Sequence, residues 1–175
     1  MSTDPPDPYT SFAAFAEACH PRLLRAAFLI CGDQHLAEDL VQSALVKVAL
    51  RWRQLHHGHP EAYLRTILYR DAVSCWRRRR REFPMAQLPE HRTADRSDAV
   101  QLRLIFTQAL ARLTPKQRAV LVLRFFEDCS EARTAEVLGV AVGTVKSQTA
   151  VALRRLREHA PELSDLVARS ARSER

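Results

Sequence analysis

Glycine is scarce, with only 4 in 175 residues. A chain so poor in the residue that tolerates positive φ has few tight turns, and its Ala, Leu, Arg and Glu content favours helix nearly everywhere. The predicted fold class is therefore all-α. No apolar run approaches the ~18 residues that a membrane span requires. The opening MSTDPPDPYTS also lacks the basic segment and apolar core of a secretory leader, so a cytoplasmic location is expected. Cys19, Cys31, Cys75 and Cys129 are widely spaced with no CxxC pair, which favours reduced thiols over a disulfide or a metal site. His56, His57 and His59 crowd one turn without a fixed carboxylate or thiol partner, so a metalloenzyme is not expected. No catalytic residue, cofactor or metal is assigned.

Basic charge is in excess. There are 27 Lys and Arg against 20 Asp and Glu, for a net charge of +7, and nearly all of the cations are arginine. An excess of this kind raises the expectation of a polyanionic partner, although its placement matters more than its total.

Residues 1–10 contain Pro5, Pro6 and Pro8 with little apolar surface and are predicted to be a loose tail. From Ser11, a candidate N-cap, Phe12, Phe15, Ala16 and Cys19 recur at helical spacing. The pattern resumes after Pro21 with Leu23, Leu24, Ala27, Phe28 and Ile30, predicting a helix broken or kinked at Pro21. Asp33 can cap a second helix with the stripe Leu36, Leu40, Ala44, Leu45, Val48, Ala49 and Trp52. The turn His56–Pro60 leads into a third, running to about Arg81, and the three share one core.

Periodicity stops over residues 82–99, where Pro84, Pro89, Glu90, Asp95 and Asp98 mark a linker. The predicted domains are thus 11–81 and 100–160, followed by a tail over 161–175. In the second domain, Thr114, Pro115 and Gln117 form a capping-box pattern, and Ser130 caps a short helix that ends at Gly139.

Two segments point to nucleic acid. In residues 131–157, Ala135, Gly139 and Val145 supply the small contact residue, the turn residue and the apolar anchor of a helix-turn-helix. Its second helix would lie in the major groove with Thr144, Lys146, Ser147 and Gln148 over base edges, while Arg154 and Arg155 would meet phosphates. The other segment is the run Arg77–Arg81 after Trp76. Adjacent guanidiniums repel one another unless solvated or opposed by a polyanion, and Tyr63, Tyr69 and Trp76 could stack on unpaired bases or simply fill the core.

The ordered set AEDLVQ, RW, P-x-x-YLRTIL, WRRRRR, LTPKQRAVLVLRFFED and LGVAVGTVKSQ resembles the extracytoplasmic-function (ECF) sigma factors of the sigma-70 family, across residues 11–160. The phrase EDCSEARTAEVLGVAVGTVKSQT is similar to the SigE-like actinobacterial subgroup. The resemblance implies two small helical domains joined by a flexible linker, with core RNA polymerase (its beta-prime clamp and beta subunits) and promoter DNA as partners. An anti-sigma factor is a further candidate partner. It implies a clamp-binding surface on the helix that holds Asp39, Leu40, Val41 and Gln42. It also implies minus-10 recognition and melting by His59, Tyr63, Arg65, Ile67, Arg70, Trp76, Arg77, Arg78, Arg79 and Arg80, with minus-35 readout by the helix-turn-helix. The sequence departs from the family pattern at Arg70, often asparagine, at Thr134, usually isoleucine, and at Ala150-Val151, a pair that commonly includes arginine. A stand-alone helix-turn-helix regulator would explain the second domain but leaves the first 80 residues without a role.

Overall fold

The computed structural model describes the backbone of residues 8–82 and 108–159, and side chains within 11–75 and 108–159. Described residues form helices and turns, with no strand among them. The order is α1 (Pro8–Cys31), α2 (Gln34–Ala49), α3 (Trp52–Leu55) and α4 (Pro60–Glu82). A helical end over 108–111 follows, then α5 (Pro115–Leu121) with a π-helical turn (Val122–Phe126), α6 (Glu131–Leu138) and α7 (Val142–His159). The linker expected over 82–99 falls outside the described residues apart from its first residue, Glu82, which ends α4.

Helix α1 differs from expectation at two points. It begins at Pro8 rather than Ser11, because proline suits a first turn whose N–H groups have no helical partner. It also runs unbroken through Pro21. That ring removes one backbone bond, but Pro21 is exposed, so water can satisfy the freed carbonyl while buried Leu23, Ala26, Ala27 and Ile30 hold the following turns to the core. Ser11 does not cap the helix; its Oγ accepts from Trp52 Nε1 at 3.0 Å. The Trp52 ring packs edge-on against Phe12 and tilted against Phe15, with centroids 5.3 and 5.0 Å away.

Helix α2 starts as its sequence dictates, with Asp33 accepting from the Leu36 N–H at 3.0 Å. Ala37, Leu40, Val41, Ala44 and Val48 face inward, and Leu64, Leu68, Tyr69 and Ala72 of α4 meet them. The apolar stripe expected to run on to Trp52 is interrupted after Ala49, and Trp52 belongs to the separate short helix α3.

In the second lobe, Thr114 and Gln117 close the capping box at α5, and Ser130 caps α6 by accepting from the Arg133 N–H. Two small clusters hold this lobe together. One joins Leu110, Leu113, Leu121, Ala152 and Leu156, and the other joins Val120, Ala135 and Val145. The two lobes also share a core, since Ala119, Val122, Leu123, Cys129 and Val137 continue the apolar cluster built by α1, α2 and α4.

Gly139 ends α6 in the left-handed conformation, at φ 66° and ψ 42°, and the Val140 N–H reaches back to the Ala135 carbonyl at 3.0 Å. A Cβ there would be strained and would lie 3.4 Å from an Arg70 guanidinium nitrogen. Gly139→Ala is expected to lower stability by about 1–2 kcal/mol, read as a reduced urea midpoint at unchanged slope.

Candidate nucleic-acid interface

Helices α6 and α7 meet through Ala135 and Val145, the small residue and the apolar anchor that the spacing predicted. Burying Val145 fixes the rotation of α7, and the helical period then turns Thr144, Lys146 and Ser147 to solvent. Gln148 is half-buried. Ser147 Oγ donates to the Thr144 carbonyl at 3.0 Å, and Lys146 Nζ lies 3.6 Å from Glu131 at the start of α6. Neither contact is hard to exchange for a base edge, because both are exposed. Farther along, Arg154 stays in solvent near Glu158, at 3.9 Å. Arg155 is half-buried and donates to Gln117 Oε1 at 3.1 Å, so this expected phosphate contact is partly engaged in holding α7 to α5.

The residues expected at the minus-10 surface are divided by the fold. His59 is exposed, and its carbonyl accepts from Ala62 and Tyr63 at the start of α4. Tyr63 Oη accepts from Arg51 at 2.9 Å, with the Arg51 guanidinium 5.8 Å from the ring centroid. Ile67 packs against the core. Arg65 Nε lies 3.0 Å from Glu127 Oε2, and its NH2 donates to Glu61 at 2.8 Å. Arg70 donates to the carbonyls of Val137 and Glu136 at 2.9 and 3.0 Å. The side chains of Trp76 and Arg77, Arg78, Arg79 and Arg80 lie outside those described.

On α2, the proposed clamp-binding set splits in the same way. Asp39 and Gln42 face solvent, whereas Leu40 and Val41 are core. A helix advancing 100° per residue and packed along one face cannot expose four consecutive side chains, so Leu40 and Val41 lie beneath the exposed surface. Val46 and Leu50 continue the exposed stripe, and Leu50 is 82% accessible.

Glu127 and Arg22, at the junction of the lobes, carried no distinguishing sequence signal. Glu127 follows two phenylalanines, yet its carboxylate is only 2% exposed, with Oε2 accepting from Arg22 at 2.7 Å as well as facing Arg65. The π-helical turn produces this inversion. Its wider loop leaves Phe126 at 42% exposure and swings Glu127 inward. Burial, with Glu127 as a neighbouring charge, pushes the Tyr69 hydroxyl well above its ordinary range, and Tyr69 Oη has no hydrogen-bond partner. Burial also lowers Arg118 to about 10, and raises the thiols of Cys19, Cys31 and Cys129, which keeps them protonated and weakly nucleophilic near neutrality. All four cysteines are free. Among the described residues no group of three or more His, Cys, Asp or Glu could hold a metal, and no helix is long and apolar enough to cross a membrane.

An anchored recognition helix with an open N-terminal face, packed beside the helical lobe of α1–α4, defines a DNA-reading factor. The Sigma-70 region 2 family model matches residues 15–82, and the model for Sigma-70, region 4 matches 103–156. The RNA polymerase sigma-E factor of Streptomyces coelicolor is 38% identical over 149 residues, covering 84% of each chain. The ECF RNA polymerase sigma factor SigL of Mycobacterium tuberculosis is 34% identical over 178 residues, covering 87% of this chain and 96% of SigL. Among solved structures, the sigma factor RpoE from Bartonella quintana, in complex with the anti-sigma factor NepR, superposes with a TM-score of 0.67 at 28% identity. That match covers 85% of this chain and 95% of the other. The chain belongs to the ECF sigma factors of the sigma-70 family. Members of this family are non-enzymatic initiation factors that bind core RNA polymerase and promoter DNA.

Proposed function

We propose that residues 11–81 bind the polymerase clamp and open the minus-10 element, while residues 100–160 read the minus-35 element, in a cytoplasmic factor that performs no catalysis of its own. The observation that carries this division is the solvent-facing turn Thr144–Lys146–Ser147, set over a buried Val145, in a lobe distinct from the one bearing Asp39 and Gln42. Two modules on one chain raise each other's effective concentration at paired promoter elements. Capture of a flipped base by Tyr63 and the basic face of α4 offsets part of the few kcal/mol needed to unstack it. Because RpoE of Bartonella quintana is bound by an anti-sigma factor, a partner of that kind is part of the proposal.

Run-off transcription with purified core polymerase on a genomic fragment library tests this reading, and failure of the chain to support initiation would overturn it. Replacing Asp39 and Gln42 together by alanine is expected to weaken capture of core polymerase by about tenfold or more in a pull-down, the loss of one or two charge-assisted contacts. Capture equal to wild type would remove the clamp assignment.

A further inference from the structure

We infer that Glu131, in the first turn of α6, is a specificity-determining residue for the minus-35 element: it positions the Lys146 ammonium on the guanine of one base pair and keeps it off the phosphates. This rests on the reading above for what α7 does. Lys146 Nζ lies 3.6 Å from Glu131 Oε2, and the two side chains are 64% and 39% exposed. An ion pair so open to solvent adds little to folding, which leaves its effect on what the lysine meets. Three local features hold the carboxylate in place. Ser130 fixes where α6 begins, its Oγ accepting from the Arg133 N–H at 3.1 Å. Ala135 and Val145 set the rotation of α6 against α7, and the left-handed Gly139 fixes the turn between the two helices. The second acid on α6, Glu136, is engaged by Arg133 at 2.6 Å, so each acid of this helix has its own cation.

Lysine is a compact charge on a flexible stem, and it turns to a nearby phosphate as readily as to a base. Phosphates carry no sequence information, so a lysine directed at them raises affinity for every duplex alike. A carboxylate beside Nζ changes both tendencies. It offsets the attraction to phosphates of all sequences, and it narrows the arc that the ammonium sweeps. The base edge then decides. Guanine presents O6 and N7 as adjacent acceptors in the major groove, and its cytosine partner presents an amino donor beside O6. An ammonium with a carboxylate at its side matches that order, with the cation toward guanine and the acid toward the amino group. Adenine places an amino donor where guanine has O6, and that donor opposes the ammonium.

The test uses holoenzyme assembled with full-length wild type, Glu131→Gln, Lys146→Ala and the double variant. Retention is measured on a promoter from which wild-type holoenzyme initiates, and on duplexes in which each minus-35 base pair is replaced in turn. Wild type is expected to lose about tenfold when one particular G·C pair becomes A·T, the range of a single base contact. In Glu131→Gln most of that penalty should vanish while the other pairs keep theirs. Its binding to a scrambled duplex should tighten several-fold, with a salt slope steeper by about 0.9 as the released lysine neutralises one more phosphate. In the Lys146→Ala background, Glu131→Gln should leave the preference at that pair unaltered, because the carboxylate acts through the lysine. A Glu131→Gln variant that keeps the full penalty overturns the inference. So does one that tightens cognate and scrambled duplexes equally, the mark of charge alone, or one whose effect on that preference persists without Lys146. If Lys146→Ala itself keeps the wild-type penalty at every pair, the reading of α7 falls and the role of Glu131 with it. A Lys146→Ala variant that loses the G·C preference, beside a Glu131→Gln variant that retains it, defeats the role of Glu131 alone.

Discussion

Placing aspartate at position 145 is expected to dissolve the helix-turn-helix and abolish retention of minus-35 duplex, a loss of at least about a hundredfold, while capture of core polymerase changes by only a few-fold. Val145 is fully buried against Val120 and Ala135, with Leu138 and Val140 packed around them. A carboxylate there has no charged partner among those neighbours. Leaving a charge uncompensated in such a site costs about 3–5 kcal/mol, a large fraction of what holds a small domain folded. The first lobe keeps its own contacts among α1, α2 and α4, so the two functions should separate. Thermal melting with paired binding assays decides the matter. A variant that melts like wild type, or that still retains duplex, would show that Val145 is not the anchor.

The second large effect concerns readout rather than folding. Converting Lys146 and Ser147 together to alanine is expected to reduce discrimination between a cognate and a scrambled minus-35 duplex by about 10- to 100-fold, since one good base contact carries roughly 1–3 kcal/mol. Stability should hardly move, because both side chains are exposed and the 3.6 Å pair of Lys146 with Glu131 is a surface contact. Filter retention on the two duplexes, beside a pull-down of core polymerase, makes the comparison. Equal loss in both assays would indicate misfolding, and undiminished discrimination would move the reading face elsewhere on α7.

Much of this architecture follows from local chemistry that a sequence displays openly. Asp33, Thr114 with Gln117, and Ser130 cap the helices they precede because an oxygen one turn ahead of free N–H groups has few alternatives. Gly139 and Val145 took their expected places for the same reason, since the turn needs positive φ and the second helix needs an apolar anchor. The spacing was less informative where distant parts of the chain decide. A break or kink was expected at Pro21, and no break occurs, because the turns that follow it are packed from the far side. Leu40 and Val41 were grouped with Asp39 and Gln42 as one surface, although burial assigns them to opposite faces of α2. The π-helical turn over Val122–Phe126 exposes an aromatic and buries an acid, contrary to what either residue's polarity suggests.

By itself, then, the order of residues determined an all-α chain, the helix-turn-helix with its anchor and open turn, and the family to which the whole belongs, because caps, periodicity and motif spacing are interactions between near neighbours. Only the tertiary structure decided that Arg65 and Arg70 lie against the second lobe, that Arg22 reaches Glu127, and that this carboxylate is buried between Arg22 and Arg65. A charge acquires its role from the groups that close around it, and here those groups stand 62 to 105 positions apart in the chain, where no local pattern connects them.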